Sequence, residues 1–202
     1  MKLFSFASMI VLLLCLSACT TDDFTPKKKG YPRVYFPDRL SYKTFSREFC
    51  PFYFEIPNYA EIDRDSVFFN DKIDNPCWYT VQIKPLNTSI HLTYYDIDHK
   101  NSYIELIQDM HDMTFTHTVK ADYIDQSKIQ SDFKVSGLLY EVGGNAASPF
   151  QFYMTDSLHH FVRGSVYINT QPNIDSLHPV IDFIRDDMMH LLQSFRWTNS
   201  EF

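Results

Sequence analysis

An apolar run from Leu3 to Leu14 closes on Leu16-Ser17-Ala18-Cys19, and this sets where a fold can begin. Lys2 supplies a positive start. A membrane span needs roughly 20 apolar residues, so the run has the length of an export signal instead. Small residues before the cut let a peptidase accept extended backbone. A plain secretory signal needs no cysteine there. A lipoprotein signal does, because the thiol accepts the acyl-glyceride before cleavage and the freed amine is acylated afterwards. The run therefore predicts a lipoprotein signal over residues 1–18 and lipid on Cys19, against the alternative of a secretory signal with a chance cysteine. One acyl chain, at about 0.8 kcal/mol per buried CH₂, binds only reversibly, whereas two or three anchor stably. Residues 19–30 hold Asp22, Asp23, Pro26 and Lys27-Lys28-Lys29 with no apolar period, which is the composition of a solvated tether.

Residues 31–202 then have room for one domain, and a chain that is 45% hydrophobic and 16% aromatic has the material for a core. A net charge of −7 opposes nucleic-acid binding. With five glycines there is no Gly-rich phosphate loop. Of four cysteines, Cys15 leaves with the signal and Cys19 takes lipid. Cys50 and Cys77 remain as an even pair for an oxidising compartment, which predicts a disulfide worth about 3 to 4 kcal/mol in the chain-entropy model. Two buried free thiols are the alternative. A zinc site lacks a matched histidine pair.

Arg33 to Phe36, Phe52 to Ile56, Trp78 to Lys84 and Ser89 to Tyr95 read as strands, the last two joined by a turn at Pro85-Leu86-Asn87. Ile90, Leu92 and Tyr94 alternate with His91, Thr93 and Tyr95, which turns His91 away from the main apolar face. Ser102 and Glu105 have capping-box spacing, and Leu106, Ile107, Met110, Met113 and Thr114 follow on one helical side. Phe133 to Val142 reads as a strand ending in a Gly143-Gly144-Asn145 turn. Phe150 to Thr155 and His160 to Ile168 form a hairpin closed by Asp156-Ser157. Asp175 is expected to cap a last helix carrying the stripe Leu177, Ile181, Ile184, Met188, Leu191 and Phe195, with Pro179 in its first turn. Hairpin links in place of regular βαβ alternation predict an α+β fold, an antiparallel sheet with helices packed on it. The progression resembles the Mog1/PsbP-like class, a likeness of fold that carries no function.

Chemistry is sparse. No Gly-x-Ser-x-Gly elbow is present, and Asp156-Ser157 beside His159-His160 fails as a dyad because strand neighbours face opposite ways. Neither His159-His160 nor Asp187 with His190 makes a third metal ligand, and Asp186-Asp187 is expected on the polar side of the last helix. Neither a catalytic residue, a metal nor a cofactor is expected. The run Gly143, Gly144, Asn145, Ala146, Ala147, Ser148 reads first as a tight loop between strands. Its alternative role is a low-profile surface for a protein partner, since small residues let another backbone approach.

Several stretches together resemble the gliding motility lipoprotein GldD family of Bacteroidetes. They are Cys50-Pro51-Phe52, Cys77-Trp78, Ile90 to Tyr94, His117 to Asp122, Tyr140 to Ser148, Gln151 to Tyr153 with Thr155 to Ser157, and Pro172-Asn173 through Arg196-Trp197. Departures fall in the tether and in an expected loop at Tyr123 to Asp132. The resemblance implies a non-enzymatic accessory role in gliding and the linked type IX secretion apparatus, with other envelope components of that machinery as partners. It implies no cofactor and no catalytic residue. The expected place is the periplasmic face of the outer membrane, held through the lipid anchor, although Asp22-Asp23 resembles acidic surface-export signals. A second reading is an envelope lipoprotein that binds a small ligand or glycan, with Tyr95, Tyr103 and Tyr153 as exposed stacking surfaces.

Overall fold

The computed structural model describes residues 30, 33–64, 67–68, 71–72, 75–131 and 133–198. Cys19, the 1–18 signal and the tether as far as residue 29 lie outside the described residues. In chain order the elements are β1 (Tyr42–Ser46), β2 (Phe52–Pro57), β3 (Glu61–Arg64), β4 (Val67–Phe68), β5 (Asp71–Lys72), β6 (Tyr79–Ile83) and β7 (Thr88–Asp96). Then come α1 (Tyr103–Phe115), β8 (Ala121–Ser131), β9 (Val135–Gly144), β10 (Phe150–Thr155), β11 (His160–Ile168), α2 (Ile174–Ser194) and β12 (Arg196–Trp197).

Seven strands form one antiparallel sheet in the order β3-β6-β7-β11-β10-β9-β8, and β1-β2-β12 form a small three-stranded sheet. The fold is α+β. Period-two alternation divides the large sheet between two apolar layers. Ile90, Leu92 and Tyr94 of β7, Phe150, Phe152 and Met154 of β10, and Val162 and Val166 of β11 face the main core. There they meet Phe52, Phe54 and Ile56 of β2 and Ile184, Met188 and Leu191 of α2. Residues of opposite parity, Tyr140, Tyr153 and Phe161, meet Leu106 and Met110 of α1 on the other face. His91 lies on that second face and shares a 2.8 Å hydrogen bond with Thr80.

Local signals explain both helices. Ser102 Oγ accepts the Glu105 N–H at 3.3 Å, so α1 starts where the capping-box spacing places it. Leu106, Met110 and Thr114 are buried, whereas Met113 is 46% exposed and sits outside the expected stripe. The start of α2 needs a correction. Its first residue is Ile174, its cap position is Asn173 with no side-chain bond of its own, and Asp175 lies inside the first turn. Pro179 therefore stands in the second turn, where its ring removes one helical donor.

Three other expectations are overturned. Arg33 to Phe36 form no strand. Their neighbours bind α2 instead of a ladder: Phe36 stacks on Phe183 at 4.8 Å, and Arg39 reaches the same helix. The expected Tyr123 to Asp132 loop is the eleven-residue edge strand β8, whose polar residues give little alternation because one edge and much of both faces meet solvent. Its partner β9 begins at Val135, after a turn that puts Lys134 at φ 55°, and it runs through Gly144. Among the described residues no helix is long and apolar enough to cross a membrane.

Candidate functional site

The Gly143–Ser148 segment is built for close packing within its own chain. Opposite Gly143 and Gly144, β8 carries an irregularity between Ala121 and Tyr123 that leaves Asp122 as the extra residue. A Cβ on Gly143 would lie 2.1 Å from the Tyr123 ring, and Gly144 has φ +91° with Asp122 against it. The glycines thus admit this chain's own edge strand. Asn145 Oδ1 accepts the Ile174 N–H at 2.9 Å, capping α2 from a distant loop. The hollow between loop and helix, about 10 Å³, holds at most one water. Ser148 is fully buried and donates to the Phe150 carbonyl, which leaves Asn145 and Ala147 as the outward residues. Asn145→Ala is expected to cost about 1 kcal/mol in urea unfolding and to raise amide exchange in the first turn of α2.

Asp187 corrects a second expectation. It is 2% exposed, although it was expected on the polar side of its helix. Arg39 Nε donates to Oδ1 at 2.7 Å and the Tyr59 hydroxyl to Oδ2 at 2.6 Å. The Arg39 guanidinium lies 3.7 Å from the Phe183 ring centre, so the segment before β1 is clamped onto α2. Burial lifts the Asp187 carboxyl above the usual carboxylate range against the pull of Tyr59 and Arg39. His190, three residues on, goes elsewhere: it meets Glu55 at 2.9 Å and stacks on Tyr42.

The residues around Asp156 do not assemble a nucleophile. Asp156 Oδ1 accepts the backbone N–H groups of Leu158, His159 and His160, which shape the turn and hold its carboxyl low despite burial. Ser157 takes a φ of 67° in this turn. His159 stays exposed, while His160 turns inward to stack on Trp197 with ring centres 5.1 Å apart.

His160 meets groups that no local motif marks. Its Cα partner across the β7–β11 ladder is Asp96. The Tyr94 hydroxyl lies 2.5 Å from Asp96 Oδ1 and 2.8 Å from His160 Nδ1. This trio borders an open cleft of about 440 Å³ that also meets Glu48, Phe49, Asn75 and Thr198. Cys50 and Cys77 are joined as a disulfide with Cα atoms 5.6 Å apart, and they line the same cleft with Pro51 and Pro76. Asn75 is committed to the fold, since its Nδ2 donates to the Tyr94 carbonyl and its Oδ1 accepts the Cys77 N–H. Burial depresses the His160 pKa below its ordinary 6.5, with Asp156 and Asp96 pulling the other way. The folded state thus keeps this ring neutral where the unfolded chain takes up a proton. His160 therefore withdraws stability as pH falls from about 7 to about 5. His160→Gln is expected to flatten the fall in unfolding free energy over that window.

Among the described residues no three His, Cys, Asp or Glu side chains are placed to hold a metal ion. The tyrosines expected as exposed stacking surfaces are not exposed: Tyr153 is 7% accessible, and Tyr95 and Tyr103 are half-buried. Each packs between the large sheet and α1 or at that layer's rim.

Two layers of apolar side chains on a twisted antiparallel sheet, helices on both faces and one disulfide define this as an α+β domain stapled for an oxidising compartment. The chain belongs to the gliding motility lipoprotein GldD family, whose model matches residues 21–197. Among solved structures it is similar to cyanobacterial PsbP (CyanoP) from Synechocystis, in solution. Identity is 13%, the match covers 78% of this chain and 92% of that one, and the TM-score is 0.44. That likeness is one of fold, and nothing further is drawn from it. Comparison with the curated proteins found no match.

Proposed function

We propose that this chain is a membrane-tethered, non-enzymatic accessory lipoprotein of gliding motility and the linked type IX secretion machinery. Family membership across residues 21–197 carries the reading. In it, lipid on Cys19 holds the domain at the periplasmic face of the outer membrane, and residues 19–30 act as its tether. The partners are other envelope proteins of the same machinery. The candidate contact is the outer rim of the Gly143–Ser148 loop, where Asn145 and Ala147 face solvent. A role without turnover is supported by the way polar groups are employed: Asp156, Asp187 and Asn75 each hold backbone or side-chain donors that shape the fold.

Deletion of the gene, with secreted cargo and surface spreading as readouts, tests this proposal. Loss of either, restored by the parent gene and not by Cys19→Ser, is the expected result. Cargo is read as well as spreading because a secretion role needs no gliding. An unchanged secretome with unchanged spreading would overturn the reading. Photo-crosslinking from position 147 tests the loop, and envelope components of the machinery are the expected captures. The glycan-binding alternative loses its stacking surfaces, since its three tyrosines pack inward or at the rim of the second layer.

A further inference from the structure

The cleft beside the disulfide presents an unusual balance of polar groups. Its volume of about 440 Å³ falls in the range of small-ligand sites. Tyr94 decides the balance. A phenol has one proton, and the 2.5 Å contact to Asp96 claims it, because an ionised carboxylate can only accept. The Tyr94 oxygen must then accept from His160 Nδ1–H at 2.8 Å. The proton on Nδ1 leaves the Nε2 lone pair of the neutral ring as an acceptor. Among the described residues no donor is placed on that nitrogen. Glu48 likewise makes no hydrogen bond among the described residues, and it lines the cleft with Asp96. Asn75 has spent both ends of its amide. Of the lining side chains, only the Thr198 hydroxyl remains as a donor. The wall therefore offers two carboxylates and an imidazole lone pair, with Phe49 as a 56% exposed aromatic beside them.

We propose that this cleft binds a protonated primary amine, from a lysine side chain or a free alkylamine. An ammonium group brings three donors and no acceptor, the complement of the wall. The Phe49 ring adds a face that attracts cations. A sugar brings as many acceptors as donors and would leave its acceptors unmatched. An anion would meet two carboxylates. The depressed His160 pKa keeps the imidazole an acceptor at neutral pH, with Asp96, Asp156 and His159 as the charged neighbours acting on it.

The proposal does not rest on the gliding reading, and its test shares no readout with the deletion experiment. The full chain, purified in detergent, is titrated by calorimetry with cadaverine, with Nα-acetyl-lysine methylamide, and with the same lysine derivative acetylated on its ε-amine. His160 imidazole signals are followed by NMR. We expect at least one free amine to bind and to shift His160, and the ε-acetylated probe to give neither heat nor shift. Binding of the lysine derivative points to a protein side chain, and binding of cadaverine alone to a free diamine; either upholds the site. Glu48→Gln, which touches no hydrogen bond of the fold, should weaken binding about tenfold. The proposal is overturned if both amines fail, if the acetylated probe binds as well as the free amine, or if Glu48→Gln binds as tightly as the parent.

Discussion

Asp187→Ala is expected to lower unfolding free energy by about 3 kcal/mol, read as a shift of the urea midpoint at unchanged slope. The loss comes from what the carboxylate leaves behind. Arg39 Nε and the Tyr59 hydroxyl both point at it, and neither has a replacement acceptor once it is gone. The ion pair itself is no large gain. Burial raises the Asp187 pKa above its ordinary 3.8, so the ionised form is a cost to the folded state, relieved as pH falls through the folded value. Two variants separate these effects. Replacing Arg39 and Asp187 together by Met and Leu should recover much of the loss, because no donor is orphaned on the Arg39 side. Asp186→Ala should change stability by less than about 0.5 kcal/mol, since that carboxylate is 67% exposed and meets Arg39 at 3.1 Å. Hydrogen exchange adds a local readout, with faster exchange over residues 33–40 in Asp187→Ala. A loss no larger than that of Asp186→Ala would show that the clamp contributes nothing.

The second large effect concerns the disulfide. Cys50→Ala with Cys77→Ala should cost about 3 to 4 kcal/mol, and reduction of the parent protein should cost the same. The bond spans a sequence separation of 27 and closes a loop that carries β2, β3, β4 and β5. Unfolded, that segment is long and mostly polar outside β2, so the cross-link removes much of its freedom. Folded, both sulfurs are buried beneath the cleft, and their loss leaves a cavity as well. Thermal and urea unfolding of oxidised, reduced and substituted protein provide the check. A difference under about 1 kcal/mol would mean that the native bond carries compensating strain.

The elements that could be read locally share a physical trait: their signals lie within one turn or one strand. The capping serine at 102, the alternation from Ile90 to Tyr94 and the Phe150 to Ile168 hairpin are each specified by residues within reach of one another along the chain. Strand β8 was hidden because an edge strand with solvent on most of its surface needs no apolar alternation. The start of α2 was hidden for a different reason. Its cap is Asn145, 29 residues away, so the nearest local candidate, Asp175, was mistaken for it. Asp187 was misplaced because the polar side of a helix ceases to be polar territory once the segment bearing Arg39 and Tyr59 folds over it.

The apolar run ending in Cys19 and the cysteine pair at 50 and 77 were legible without any structure, because covalent chemistry at a cysteine depends on its immediate neighbours and compartment. So was the α+β class, because period and turn chemistry are local. Tertiary structure alone decided what the polar residues do. Asp96 and His160 become partners only when β7 and β11 pair in register, and Glu48 joins them only when the disulfide draws its segment to Cys77. Hydrogen bonds depend on ångström distances between residues far apart in sequence, and a pattern of residue types carries no such distances.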